Sequence, residues 1–200
     1  AALITNMDSP LGSAVGNSLE VIESVEILKG KTSGNLWTVC RELSCRMLML
    51  AGIGDKDECG RLVDEAVESG EALKHFEMMV KLQGDVSYIE DTSKFRKASF
   101  SREVYAPADG YITHMDSEKI GLTAVLLGAG REKKDDDINH ATGIIIAAKT
   151  GDFVKRGELL ATLFADDESR LDGAESRYLS AVSIGDKKPA EQPMILDYID

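Results

Sequence analysis

Apolar residues recur at helical spacing through the first half of the chain and largely at strand spacing through the second. Val15, Leu19, Ile22 and Val25, with Val21 and Leu28 beside them, form a wide stripe that predicts a helix of about four turns ending near Lys29-Gly30. Leu36, Val39, Cys40, Leu43, Met47 and Leu50 predict a second helix over 36–50, stopped by Gly52-Ile53-Gly54. Cys59, Leu62, Val63 and Ala66 give a third over 57–68, and Leu73, Phe76 and Val80 a fourth over 71–83, closed by Gly84. Ahead of this helical layer, Ala1-Ala2-Leu3-Ile4-Thr5 reads as a strand already under way, which leads us to expect a truncated chain.

From about Ala98 the period changes. Residues 99–105 alternate like a strand, Pro107-Ala108-Asp109-Gly110 is turn chemistry, and 111–115 reads as the returning strand of a hairpin. A helix over 117–127 with Ser117 as its N-cap follows, stopped by Gly128-Ala129-Gly130. A charged loop over 131–140 leads to β runs at 143–148 and 159–164, joined by Gly151-Asp152-Phe153-Val154-Lys155-Arg156-Gly157. A helix over 167–182, a polar Lys187-Lys188-Pro189 linker and a last strand over 194–199 complete the pattern. The expected fold class is α/β (mixed α+β): a strand plus helical layer over 1–90, then an α+β domain over 98–200 containing a barrel-sandwich-like hairpin pair.

Composition narrows the function. Across 200 residues, 23 Lys and Arg face 35 Asp and Glu, a net charge of −12, so the counterion-releasing basic surface of a general nucleic-acid binder is missing. No apolar run approaches the roughly 18 residues a bilayer span needs, so no membrane partner is expected. With 43% hydrophobic residues the chain can bury a core. Cys40, Cys45 and Cys59 match neither a zinc framework nor a redox pair, and the N-terminal residues have no export pattern; the expected location is cytoplasmic.

Candidate chemistry is sparse. Pro10-Leu11-Gly12-Ser13-Ala14 presents main-chain carbonyls in an irregular turn, and Glu20 and Glu23 follow on one helix face, the kinds of oxygen a hard cation requires. Taken alone, each Glu reads as a solvated helix residue. His75, His114 and His140 are scattered without a triad pattern, Leu127-Gly128-Ala129-Gly130-Arg131 reads as a helix stop, and Asp135-Asp136-Asp137 lacks the other residues of a calcium loop.

Ordered segments carry more than any single motif. Ala2-Leu3-Ile4-Thr5, Pro10-Leu11-Gly12, Ala14-Val15-Gly16-Asn17, Ala106-Pro107-Ala108-Asp109-Gly110, Leu127-Gly128-Ala129-Gly130-Arg131, and Gly151-Asp152 through Gly157 together resemble the pyrimidine-nucleoside and thymidine phosphorylases from just past the middle of their chains onward. The resemblance implies a two-lobed homodimer in which pyrimidine nucleosides (thymidine, uridine, deoxyuridine) and inorganic phosphate give free base and (deoxy)ribose 1-phosphate. It implies that 1–90 belong to a central α/β glycosyltransferase-type domain and 98–200 to the C-terminal domain. The N-terminal helical domain and the phosphate-binding segment would then be absent. No catalytic or substrate-binding residue falls here, and the chain alone is expected to be inactive. The resemblance also implies a structural potassium ion next to the phosphate loop, ligated by the carbonyls of Leu11 and Ala14 and by Glu23, with the remaining ligands upstream. An alternative comes from 106–112 and 151–160, which resemble the hairpins of biotinyl and lipoyl carrier domains. Neither Lys119 nor Lys133 is predicted at the hairpin tip that such a carrier modifies.

Overall fold

A computed structural model describes residues 1–131, 133–135 and 137–199. Its elements run β1 (Ala2–Thr5), β2 (Ala14–Val15), α1 (Asn17–Leu28), α2 (Gly34–Leu50), α3 (Lys56–Glu68), α4 (Glu71–Lys81) and α5 (Ser87–Glu90), then β3 (Phe100–Tyr105), β4 (Gly110–Met115) and α6 (Ser117–Leu127). β5 (Gly143–Ile146), β6 (Phe153–Val154), β7 (Leu159–Ala165), α7 (Ser169–Ala181), β8 (Val182–Gly185) and β9 (Ile195–Ile199) complete the order. The fold is mixed α+β, as the pattern predicts. The chain divides into two compact units: the first comprises Ala1–Asn6, Ile22–Lys94 and Pro193–Asp200, the second Met7–Val21 and Phe95–Gln192.

In the first unit β1 and β9 pair antiparallel from Ala2 opposite Ile199 to Thr5 opposite Ile195, and Asn6 N–H donates to the Met194 carbonyl at 2.8 Å. Helix α3 starts where the Asp55 side chain accepts from Glu58 N–H at 2.9 Å, with Asp57 and Glu58 favourably placed at the positive end of the helix dipole. Arg41 joins α2 to α3 through two 2.6 Å bonds to Asp64, passing Gly60, where a Cβ would lie 2.9 Å from a guanidinium nitrogen.

The face that α2 buries is only in part the predicted apolar one. Val39, Glu42 and Cys45 are its buried residues, whereas Met47 and Leu50 are each 69% exposed. The buried carboxylate is satisfied there: Glu42 lies 3.2 Å from Arg46 and 3.4 Å from Lys56, and the Arg46 guanidinium carbon sits 3.9 Å from the centre of the Tyr198 ring. Burial pushes the Glu42 carboxyl up, but Tyr198, Lys56 and Arg46 together hold it below the usual carboxylate range. A pattern of apolar positions alone cannot register a buried Glu paired in this way.

The second unit holds two small sheets, of strand order β2-β5-β7-β3 and β6-β4-β8. Strands β3 and β4 do not pair with each other across Pro107–Gly110: β3 runs against β7, from Phe100 opposite Ala165 to Tyr105 opposite Leu159, and β4 runs against β6 and β8. The two bent segments pair with one another instead. Ala106 N–H donates to the Glu158 carbonyl at 2.8 Å, Gly157 N–H to the Ala106 carbonyl at 2.9 Å, and Arg156 N–H to Asp109 Oδ1 at 2.7 Å. Turn residues mark where the chain bends, but not which strand each arm joins.

Helices α6 and α7 pack on these sheets around a core in which Ile112, Ile144, Leu163 and Tyr178 are fully buried. Tyr178 O–H donates to the Leu160 carbonyl at 3.5 Å, and burial pushes its phenol well up. The cap of α6 is Asp116 rather than Ser117: Asp116 Oδ1 accepts from Lys119 N–H at 3.0 Å, while Ser117 Oγ is buried without a partner. Gly128 closes the same helix, its N–H meeting the Ala124 and Val125 carbonyls. The predicted helix over 167–182 ends at Ala181, because Val182 opens strand β8 against β4.

Candidate functional site

The carbonyls expected to hold an ion lie on the segment that enters α1. Leu11 is 38% exposed in the turn, and Ala14 is buried at the start of β2 opposite Ile145 of β5. Both fall in the second unit, whereas Glu23, half-buried midway along α1, falls in the stretch of that helix belonging to the first. The structure thus places Leu11 and Ala14 together on one turn-and-strand segment. Lys149 Nζ, which no sequence signal singles out from 138 positions away, reaches the Leu11 carbonyl at 3.3 Å. It sets a positive charge against one of the expected ligand oxygens, which has two lone pairs to share.

Residues 13–18 lie tightly against 140–146. Ile146 N–H donates to the Ser13 carbonyl at 2.7 Å, and Ser18 N–H to the His140 carbonyl at 3.1 Å. Between these bonds the two backbones meet glycine to glycine. A Cβ on Gly143 would stand 2.2 Å from the Val15 carbonyl oxygen, and one on Gly16 would stand 2.5 Å from that of Thr142; both glycines have positive φ, +149° and +138°.

Asp166 anchors the far side of this loop. Its carboxylate accepts from Ser99 N–H at 2.8 Å, Ser99 Oγ at 2.9 Å, Asn139 Nδ2 at 2.6 Å and Arg96 at 2.7 Å. Arg96, with Asn139 and Ser99, holds the carboxyl well below the usual carboxylate range. A carboxyl with a depressed folded pKa contributes stability that is present above its unfolded value of about 3.9 and is lost as pH falls through the lower folded value. Urea midpoints measured across that range are expected to fall more steeply for the wild type than for Asp166→Asn, with parallel curves above about pH 5; identical slopes throughout would contradict the arrangement.

The remaining candidates stay apart. His75 lies on α4, His114 on β4 and His140 in the loop before β5. Among the described residues no group of three or more His, Cys, Asp or Glu is placed to hold a metal, and Asp136 of the acidic run lies outside them. Burial pushes the Cys40 and Cys59 thiols up, away from nucleophilic thiolate chemistry. Lys119, considered as a carrier lysine, sits on α6 and pairs with Asp116 at 3.1 Å rather than standing at a hairpin tip. The described residues form an apolar groove of about 590 Å³ in the first unit beside Trp37, Met47 and Leu62, and a more polar concavity of about 510 Å³ in the second beside Gly128, Lys133 and Arg170. In the latter Arg170 is already committed to the Leu126 carbonyl at 3.3 Å, completing the end of α6.

Comparison with known proteins identifies the architecture. Residues 111–185, which include β4, α6, β5, β7 and α7, match the family model of the pyrimidine nucleoside phosphorylase C-terminal domain. The chain is 39% identical over 170 residues to a pyrimidine-nucleoside phosphorylase of Bacillus subtilis (84% of this chain, 39% of that protein). It is 33% identical over 197 residues to that of Geobacillus stearothermophilus (98% and 45%), and 36% identical over 187 residues to that of Staphylococcus aureus (92% and 43%). The chain belongs to the pyrimidine-nucleoside phosphorylase family and spans less than half the length of these relatives. No helix among the described residues is long and apolar enough to cross a membrane.

Proposed function

We propose that this chain is the C-terminal portion of a cytoplasmic, homodimeric phosphorylase acting on thymidine, uridine and deoxyuridine. In that reaction the bond from the sugar anomeric carbon to the pyrimidine N1 breaks, and the base leaves with the electron pair and takes up a proton. A phosphate oxygen bonds to the same carbon, giving free base and (deoxy)ribose 1-phosphate. The observation that carries the reading is the kinship with three proteins named pyrimidine-nucleoside phosphorylase, at 33–39% identity over 84–98% of this chain.

Within that reading the residues described here brace the site rather than react. Leu11 and Ala14 lend carbonyl oxygens and Glu23 a charge to a potassium ion beside the phosphate loop, the other ligands coming from upstream. A weakly hydrated monovalent cation suits such neutral carbonyls, and its charge favours an anion close by. The short β2–β5 pairing and the glycine contact at 16 and 143 support this role by giving the carbonyl-bearing segment a fixed seat.

The test is an assay of base release from thymidine, uridine and deoxyuridine in phosphate and in phosphate-free buffer, on this chain and on a longer polypeptide matching the full length of the relatives. Phosphate-dependent release by the longer polypeptide and none by the 200-residue chain is the expected result. No release from any of the three nucleosides by the longer polypeptide overturns the assignment; turnover by the short chain overturns its supporting role.

A further inference from the structure

Asn139 stands between two parts of the second unit that share no other stated purpose. Its side chain accepts from Arg96 at 2.6 Å and from Ala141 N–H at 3.1 Å through Oδ1, and donates to Asp166 at 2.6 Å through Nδ2. Its main chain donates to the Gly128 carbonyl at 2.9 Å and accepts from Thr142 N–H at 3.3 Å and Thr142 Oγ1 at 3.0 Å. Thr142 is fully buried, and the residues on either side of the 141–142 pair make the contacts that hold the entry to α1: His140 through Ser18, and Gly143 against Val15 and Gly16.

We propose that Asn139 is a positioning residue for the segment Leu11–Ser18. Fixed to Asp166 at the end of β7 and to Arg96, it sets the 139–143 loop in space, and that loop sets the β2–β5 register on which the direction of the Leu11 and Ala14 carbonyls depends. That these carbonyls face an ion rests on the function proposed above; that Asn139 holds their segment does not. A plain turn-stabilising role predicts something different, since a loosened turn would free 139–142 and the Ser18 amide that His140 accepts, and leave Ile146, whose acceptor is Ser13, protected.

Amide hydrogen exchange on the 200-residue chain separates the two roles. In sodium chloride, Asn139→Ala is expected to speed exchange about tenfold at Ser18 and Ile146, whose acceptors are His140 and Ser13, while the amides joining β4 to β8 keep their wild-type rates. The exchanged pair, Asn139→Asp with Asp166→Asn, keeps an amide facing a carboxylate and a partner for Arg96, and is expected to restore protection. Unchanged exchange at Ile146 in Asn139→Ala, whatever happens at Ser18, or faster exchange spread evenly into β4 and β8, overturns the proposal. If Asn139→Ala does not fold, Arg96→Ala carries the test, since the Arg96 side chain is 61% exposed and its loss leaves the core intact.

Repeating the measurement in potassium chloride on the longer polypeptide, which carries the upstream ligands, reads the ion separately. Slower exchange over Leu11–Val15 in potassium, reduced in Asn139→Ala, is the expected result. On that longer polypeptide, exchange in the wild type that is indifferent to potassium counts against the ion reading, and the sodium experiment alone then decides the role of Asn139.

Discussion

Alanine at position 143 is expected to destabilise the protein by about 3 kcal/mol, lowering the melting temperature by roughly 6–12 °C. Two effects add. The new methyl would fall 2.2 Å from the Val15 carbonyl oxygen and 3.0 Å from a Leu19 methyl, and the backbone is held at φ +149°, where a side chain is strained. Neither contact partner can retreat cheaply, because Val15 is paired with Ile144 and Leu19 lies in the first turns of α1. Relief must come from parting β2 from β5. Thermal melts followed by circular dichroism measure the loss, and Gly16→Ala, which would set its methyl 2.5 Å from the Thr142 carbonyl oxygen, should reproduce it. A variant that melts like the wild type would show that the two backbones are not held at this distance.

Leu163→Ala is expected to be comparably severe, at about 3 kcal/mol. Leu163 is fully buried on β7 opposite Ile144 of β5 and Arg102 of β3, inside the core that α6 and α7 cover. Truncation removes several methyl groups' worth of contact and leaves a cavity that strands paired on both sides cannot close. Leu163→Met, similar in volume, should lose less than about 1.5 kcal/mol. Urea denaturation of both variants distinguishes cavity formation from a general intolerance of substitution; equal losses in the two would argue against the packing account.

The helices were legible in sequence because their apolar residues recur at a period no strand can share, and each predicted segment from 36 to 127 has its element in the structure. What escaped notice was decided at long range. Nothing local to Phe153-Val154 or Ala14-Val15 marks either pair as a strand, since each is defined only by its partner, β4 and β5 respectively. The bend at Pro107–Gly110 was visible, but the choice between pairing within one hairpin and pairing between two depends on the remote Glu158 and Arg156. On α2 the hidden face is only partly legible because Glu42 is ion-paired with Lys56 and hydrogen-bonded by Tyr198, one across a turn and the other near the far end of the sequence. For the ion ligands, Leu11 and Ala14 could be reached only through family likeness. Main-chain carbonyls carry no residue signature, and Lys149 beside one of them is a lysine like any other until the fold is known.

The pairing of β1 with β9 has a consequence for how the chain is made. Ala2 leaves the ribosome first among the paired residues and Ile199 last, so at ordinary elongation rates the first strand waits roughly 10–40 s for its partner. The segments of the second unit end at Gln192, so all of its sequence has been synthesised before β9 begins to emerge. The β1–β9 pair therefore waits on the last strand: a released chain ending at Gln192 should leave Ala2–Thr5 exposed to protease while the sheets around Leu163 are already resistant.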